Sequence, residues 1–330
     1  MWRQPLLLLL ILPTSLAWIP FSSFSLVPPP RKVSSTTASE SVVRTYEHDG
    51  WTLSYRFKPA TKGYESADPL LLVHPVGVGL SSWFWEKLNV GPATYAVDLI
   101  GCGKRNGGDV WNPEERGLSI PLGWVQACEA LMQQEGQKAF WRPTKRYNVV
   151  VQGGLAPVGV LLAARNPSTV ERLILTSPPT WKDITTAVPE SELEKNYNFL
   201  RSKALGGAAF AVLESRLAVE TFSNLFLFDK PCGREWLDRV AYDTMPEARP
   251  PVQAFNAGFC MHRSYETELR ELTQPVLVLE GREDKNRLEG RQEYAQKMPD
   301  CTNRIIPGKN VLPWESPDRT ADEIREFCGY

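Results

Sequence analysis

Short, almost wholly apolar runs alternate along residues 69–308 with longer stretches whose apolar residues recur at helical spacing. The short runs are Pro69–Val73, Tyr95–Asp98, Val149–Val151, Val170–Leu175, Pro275–Gly281 and Arg304–Gly308. Runs without a polar face suit strands buried on both sides of a sheet. Helical spacing marks Leu122–Gln134, a segment ending at Asn166-Pro167, and a terminal helix near Thr320–Phe327. Strands alternating with helices predict an α/β fold with a doubly wound, mostly parallel sheet. Upstream, Thr45–Lys58 alternates with period two around His48-Asp49-Gly50, the pattern of a hairpin. Residues 180–268 break the rhythm and carry Phe199, Phe210, Phe222, Phe226, Phe228, Trp236, Phe255 and Phe259. They predict a helical cap inserted over the carboxyl ends of the strands, where open α/β sheets bind their ligands.

The first 45 residues follow a different logic. Trp2-Arg3 precedes an apolar run from Pro5 to Leu12, and Ser15-Leu16-Ala17 supplies the small residues of a signal-peptidase site. The run is short of the ~20 apolar residues that a membrane span needs. From Trp18 to Ser39 there is no acidic residue, but there are Arg31, Lys32 and many hydroxyl side chains, a transit-peptide composition. A signal run followed by such a stretch resembles the bipartite presequences of algae with secondary plastids. The expectation is delivery to a plastid (chloroplast), with secretion as the alternative, and a folded part over residues 46–330.

Composition narrows the function classes. The 330 residues carry 37 Lys and Arg against 38 Asp and Glu, a net charge of -1, which argues against a nucleic-acid surface. The six cysteines are scattered without a close pair, so neither a zinc site nor a redox Cys-x-x-Cys motif is expected. No metal and no cofactor is predicted.

The chemistry concentrates at VVVQGGLAPVGVLLAARNP, residues 149–167: a buried strand, a turn of small residues, then a helix. This stretch and four others resemble the α/β-hydrolase superfamily. His74-Pro75-Val76-Gly77 is similar to the loop whose backbone N–H groups help to build an oxyanion hole. Asp98-x-x-Gly101-x-Gly103 is similar to the turn after the fourth strand, and Gly281-Arg282-Glu283-Asp284 to the turn that carries the triad acid. Pro307-Gly308, followed by Pro313 and Glu315, is similar to the segment that carries the triad histidine. Within the superfamily, HPVGVGLS and PGKNVLPWE resemble a cyanobacterial and plastid group of hydrolase-like proteins. The resemblance implies a nucleophile position at Gly153, an acid at Asp284, a histidine position at Asn310 or Val311, and an oxyanion loop of His74, Val76, Gly77 and Gly154.

Two expected groups are missing. Between Gln152 and Pro167 there is no Ser, Thr, Cys, Asp or Glu, and no histidine follows His262. In a Ser-His-Asp enzyme, losing nucleophile or base costs on the order of a millionfold in turnover. Positioning and the oxyanion hole alone leave about 10³–10⁴-fold over water. Glycine fits the turn because a strained elbow costs roughly 1–3 kcal/mol in other residues and little in glycine. The expected function is therefore a plastid protein of this fold that binds a hydrophobic small molecule or a protein partner without acyl-enzyme hydrolysis. The alternative is an enzyme with a rebuilt site using His74 and Asp284. His74 has two readings, loop ordering and ligand contact; Asp284 reads as a structural carboxylate. The cap aromatics read first as a helical core and second as a pocket lining, and Ser81 and Ser82 have no evident histidine partner.

Overall fold

The fold rests on one sheet whose strands take their order from the parallel crossovers that the hydropathy pattern predicts. The structure is a computed structural model and describes residues 41–137, 146–202 and 205–330. The presequence expected over residues 1–45 lies, up to residue 40, outside the described residues. Strands β1 (Val42–His48) and β2 (Trp51–Lys58) form the hairpin. Then come β3 (Leu70–Val73), β4 (Thr94–Val97), β5 (Tyr147–Gln152), β6 (Val170–Thr176), β7 (Val276–Gly281) and β8 (Cys301–Ile306). The sheet order is β1-β2-β4-β3-β5-β6-β7-β8. β2 runs antiparallel to β1 and β4, and every later pairing is parallel. The hairpin starts at Val42, upstream of the Thr45 start and of the 46–330 boundary read from the sequence, because Val42 and Val43 sit exposed at the sheet edge and lack a burial pattern.

The helices are α1 (Leu122–Gln137), α2 (Ala156–Arg165), α3 (Trp181–Thr185), α4 (Glu190–Arg201), α5 (Leu205–Leu213), α6 (Arg216–Phe222), α7 (Gly233–Asp243), α8 (Arg249–Ala257), α9 (Glu266–Glu271), α10 (Lys285–Lys297), α11 (Leu312–Glu315) and α12 (Pro317–Cys328). Helices α3 to α9 make the predicted insertion between β6 and β7. Successive strand residues point to opposite faces, and that alternation feeds two cores. Leu71, Val73, Val149, Val151, Leu173 and Val276 pack on one face against α1, α2 and part of the cap. Leu70, Leu72, Val150, Ile174 and Leu277 pack on the other against Trp83–Trp85, α7, α11 and α12. Among the described residues no helix is long and apolar enough to cross a membrane.

Candidate functional site

β5 ends at Gln152 and turns sharply through Gly153 into α2. Gly153 has φ +64, a left-handed conformation that glycine adopts at little cost. A Cβ built on Gly153 meets no atom within 4 Å, so the turn has room for a side chain and carries none. Gly154 is the opposite case. A Cβ there would lie 2.5 Å from Cζ of Phe255, so the ring of this α8 residue lies directly over the turn. The first N–H groups of a helix have no partner within it, and here the space beside them is taken by an aromatic ring.

Gln152 is buried and ties the turn to its neighbours. Its Nε2 donates to the Asn310 carbonyl at 2.8 Å, and its Oε1 accepts from Thr176 Oγ1 at 2.7 Å. Asn310 and Val311 are also fixed through their main chain, since both N–H groups donate to the Leu227 carbonyl in the cap. The two positions at which the resemblance implies a histidine thus sit beside the turn, held by backbone bonds. Sequence reasoning missed Gln152 and Thr176. Their only signal was a buried amide and hydroxyl at the ends of apolar runs.

His74 ends β3 fully buried, and both its ring nitrogens are engaged. Nε2 accepts from the Leu99 N–H at 3.2 Å, and Nδ1 lies 2.8 Å from the Pro75 carbonyl. A backbone N–H only donates and a carbonyl only accepts, so the ring is the neutral Nδ1–H tautomer. Burial lowers its pKa, against the opposing pull of Asp98. The imidazole ties the end of β3 to the segment after β4. Asp98 accepts from Ser54 Oγ, Asn106 Nδ2 and the Ser82 N–H, which fixes the same corner. Val76 is buried, and Gly77 accepts from the Leu80 N–H in a tight turn. Ser81 donates to Asp243 of α7 at 2.7 Å, and burial raises the pKa of that carboxyl.

Asp284 faces arginines. Its Oδ2 lies 2.9 Å from Nη1 of the fully buried Arg291 and 3.4 Å from Arg287. Arg291 in turn donates to the Pro178 and Ser177 carbonyls, and Tyr294 donates to Pro179. The carboxylate is the counter-ion of a guanidinium that pins the loop between β6 and the cap. Ser177 there holds a left-handed φ of 46. His74 follows β3 and Asp284 follows β7, with β5 and β6 between them in the sheet. Three inter-strand steps of roughly 4.8 Å put these strand ends about 14 Å apart. Each is engaged by its own partners, His74 by Leu99 and Pro75 and Asp284 by Arg291 and Arg287.

The cap lies against the sheet ends through an aromatic cluster. Trp83, Trp236 of α7 and Trp314 of α11 meet edge to face with centroids 5.0–5.4 Å apart, and Phe84 and Phe228 extend the contact. A cavity of only about 10 Å³ lies between cap and oxyanion-type loop, room for about one water. Phe210, Phe228 and Trp236 of the cap are buried in packed cores, whereas Phe222 is exposed. Among the described residues all six cysteines are free, and no cluster of three or more His, Cys, Asp or Glu could hold a metal.

The fold recurs in known proteins. A haloalkane dehalogenase from Bradyrhizobium elkanii (the DbeA-M1 loop variant) matches with a TM-score of 0.63 at 17% identity, over 88% of this chain and 97% of that one. ALR0039 from Nostoc sp PCC 7120, named as an alpha/beta hydrolase, matches with a TM-score of 0.64 at 18% identity, over 88% and 99%. The proline iminopeptidase of Mycobacterium smegmatis matches with a TM-score of 0.61 at 17% identity, over 87% and 98%. These likenesses show the fold, and the named reactions differ too widely to pass to this chain. No curated protein sequence matches. The model of the alpha/beta hydrolase family matches residues 70–323, from β3 to within α12. With the strand order, the inserted cap and the sharp turn after β5 in agreement, the chain belongs to the alpha/beta hydrolase family.

Proposed function

We propose that this protein is a non-hydrolytic member of its family, acting in a plastid, that holds an apolar small molecule beneath its cap. The observation that carries this reading is the turn after β5, where the left-handed residue is Gly153 and the flanking residues offer no nucleophile. Support comes from His74, whose two nitrogens are committed to backbone groups, and from Asp284, which faces Arg291. A rebuilt enzyme would route proton transfer through these two groups, and their separation speaks against it. Binding of a protein partner is a second reading, favoured by the exposed Leu217, Phe222 and Leu225 on the cap.

The test is twofold. Small molecules co-purifying with the native protein, identified by mass spectrometry, are expected to include an apolar ligand. The wild-type protein is expected to leave short-chain nitrophenyl esters intact and to resist serine-directed fluorophosphonates. Gly153→Ser is expected to stay near background, because an unactivated serine is a weak nucleophile. Addition of a histidine at Asn310 or Val311 is the change expected to raise activity. Turnover by wild type that is abolished by His74→Gln or Asp284→Asn would overturn the reading. A fluorescent fusion that remains outside the plastid would overturn its localisation.

A further inference from the structure

Where the segment after β4 meets α7, cations outnumber the carboxylates that face solvent. Arg56 of β2 and Arg239 of α7 share a single oxygen of Glu86, Oε1, at 3.4 Å and 2.5 Å. Both arginines are largely buried, at 18% and 21% exposed, and each keeps a buried Nε without an acceptor among the described residues. The short turn Lys104–Asn106 links them to the surface. Asn106 Oδ1 accepts from Arg56 Nη2 at 3.2 Å, and Arg105 Nε donates to the Tyr242 carbonyl at 3.0 Å. The Arg105 guanidinium also lies over the half-exposed Tyr242 ring, 4.9 Å from its centroid. Lys104 and Arg105 are exposed, and neither pairs with a carboxylate among the described residues. The acids beneath are turned inward: Asp98 accepts from Ser54, Asn106 and the Ser82 N–H, and Asp243 accepts from Ser81.

Glu86 alone therefore answers two guanidiniums, and Lys104 and Arg105 add positive charge that nothing beside them offsets. Guanidinium groups match carboxylates through paired hydrogen bonds. Four cations on three separate elements form a broad face, and a segment with several carboxylates engages more of them than one small anion can. Tyrosine and arginine are enriched at the buried centres of protein interfaces, and here Tyr242 and Arg105 stand stacked at the surface. We propose that this face docks an acidic segment of a partner protein, with Lys104, Arg105 and Tyr242 as its main contacts. None of these residues lines the small cavity under the cap, so the inference is independent of the apolar-ligand reading. Complementary charge acts on encounter and register more than on affinity, so the docking is salt-sensitive.

The test is fluorescence anisotropy of a labelled hexaglutamate peptide with the full chain, with hexaglutamine as the neutral probe. Wild type is expected to bind hexaglutamate at low ionic strength and to ignore hexaglutamine. Most of that binding should vanish at about 150 mM salt, where charges are screened beyond ~8 Å. Lys104→Glu combined with Arg105→Glu should weaken binding at least tenfold, and Tyr242→Ala at least threefold. The gentler pair Lys104→Gln and Arg105→Gln should fall between them and wild type, with an unchanged thermal midpoint. A control pair, Lys182→Glu and Lys195→Glu, makes the same change in net charge at two exposed cap lysines and should alter affinity less than threefold. No binding by wild type would overturn the inference. An equal loss in the control pair would also overturn it, since attraction by net charge would then suffice. If inorganic phosphate displaces the peptide at matched charge, the face is a small-anion site and the protein-docking inference fails.

Discussion

Two contacts made by the cap rest on different physics. On the flank at α7, Trp236 is locked between Trp83 and Trp314, and Ser81 donates to Asp243. At α5 and α6, by contrast, Glu214 pairs with Arg249 of α8 inside the cap itself, beside a small void, and Leu217, Phe222 and Leu225 face solvent. Close-packed aromatic rings resist separation through many small contacts, whereas one ion pair can be exchanged for another. The aromatic contact joins the cap to the rest of the molecule, whereas the ion pair joins one cap element to another.

Four measurements break or sharpen this contrast, the largest effect first. Trp236→Ala removes the centre of the aromatic seam and is expected to cost about 3–5 kcal/mol in denaturant unfolding. Leu217→Ser on the other flank should stay within about 0.5 kcal/mol. Equal effects would erase the distinction between the flanks. Arg291→Met strands the buried Asp284 with only the half-exposed Arg287, and the expected loss is about 3 kcal/mol. A neutral result would mean that Asp284 is solvated.

The turn itself comes third. Gly154→Val drives a side chain into Phe255 and is expected to cost about 1–3 kcal/mol. In a double-mutant cycle with Phe255→Ala, about 1 kcal/mol or more of this should be recovered. Gly153→Ala meets nothing and should lose about 1–2 kcal/mol to backbone strain alone. No coupling in the cycle would place Phe255 away from the turn.

The smallest effect is a pH dependence. Burial lowers the pKa of His74 in the folded state below its unfolded value near 6.5. As pH falls below about 6.5, the unfolded chain takes up the proton and the folded chain does not, so stability is lost toward acid. The stability difference between wild type and His74→Gln should shrink from pH 7.5 to 5.5, by at most about 1.4 kcal/mol per pH unit. A flat difference would mean that the ring titrates normally.

The strand positions, the hairpin, the cap insertion and the sharp turn were legible because each leaves a local mark: an apolar run, an alternation or a cluster of small residues. His74 was legible as a residue at a strand end, but its bonds to Leu99 and Pro75 were not. Arg291 was not legible. It lies in a helix rich in charges, KNRLEGRQEYAQK, where an arginine reads as solvated. Only packing against Ser177 and Pro178, more than a hundred residues upstream, buries it. Gln152, Thr176 and the three tryptophans are invisible for the same reason, since their partners are distant in sequence.

The insertion also has a consequence for how the chain assembles. β6 and β7 are neighbours in the sheet, yet residues 177–275 separate them. Their pairing must close that whole span, while β3 to β6 need only the shorter crossovers already made. Loop closure becomes costlier with length, and chains emerge from the ribosome amino end first. Pairing β7 with β6 is therefore the longest closure in the sheet.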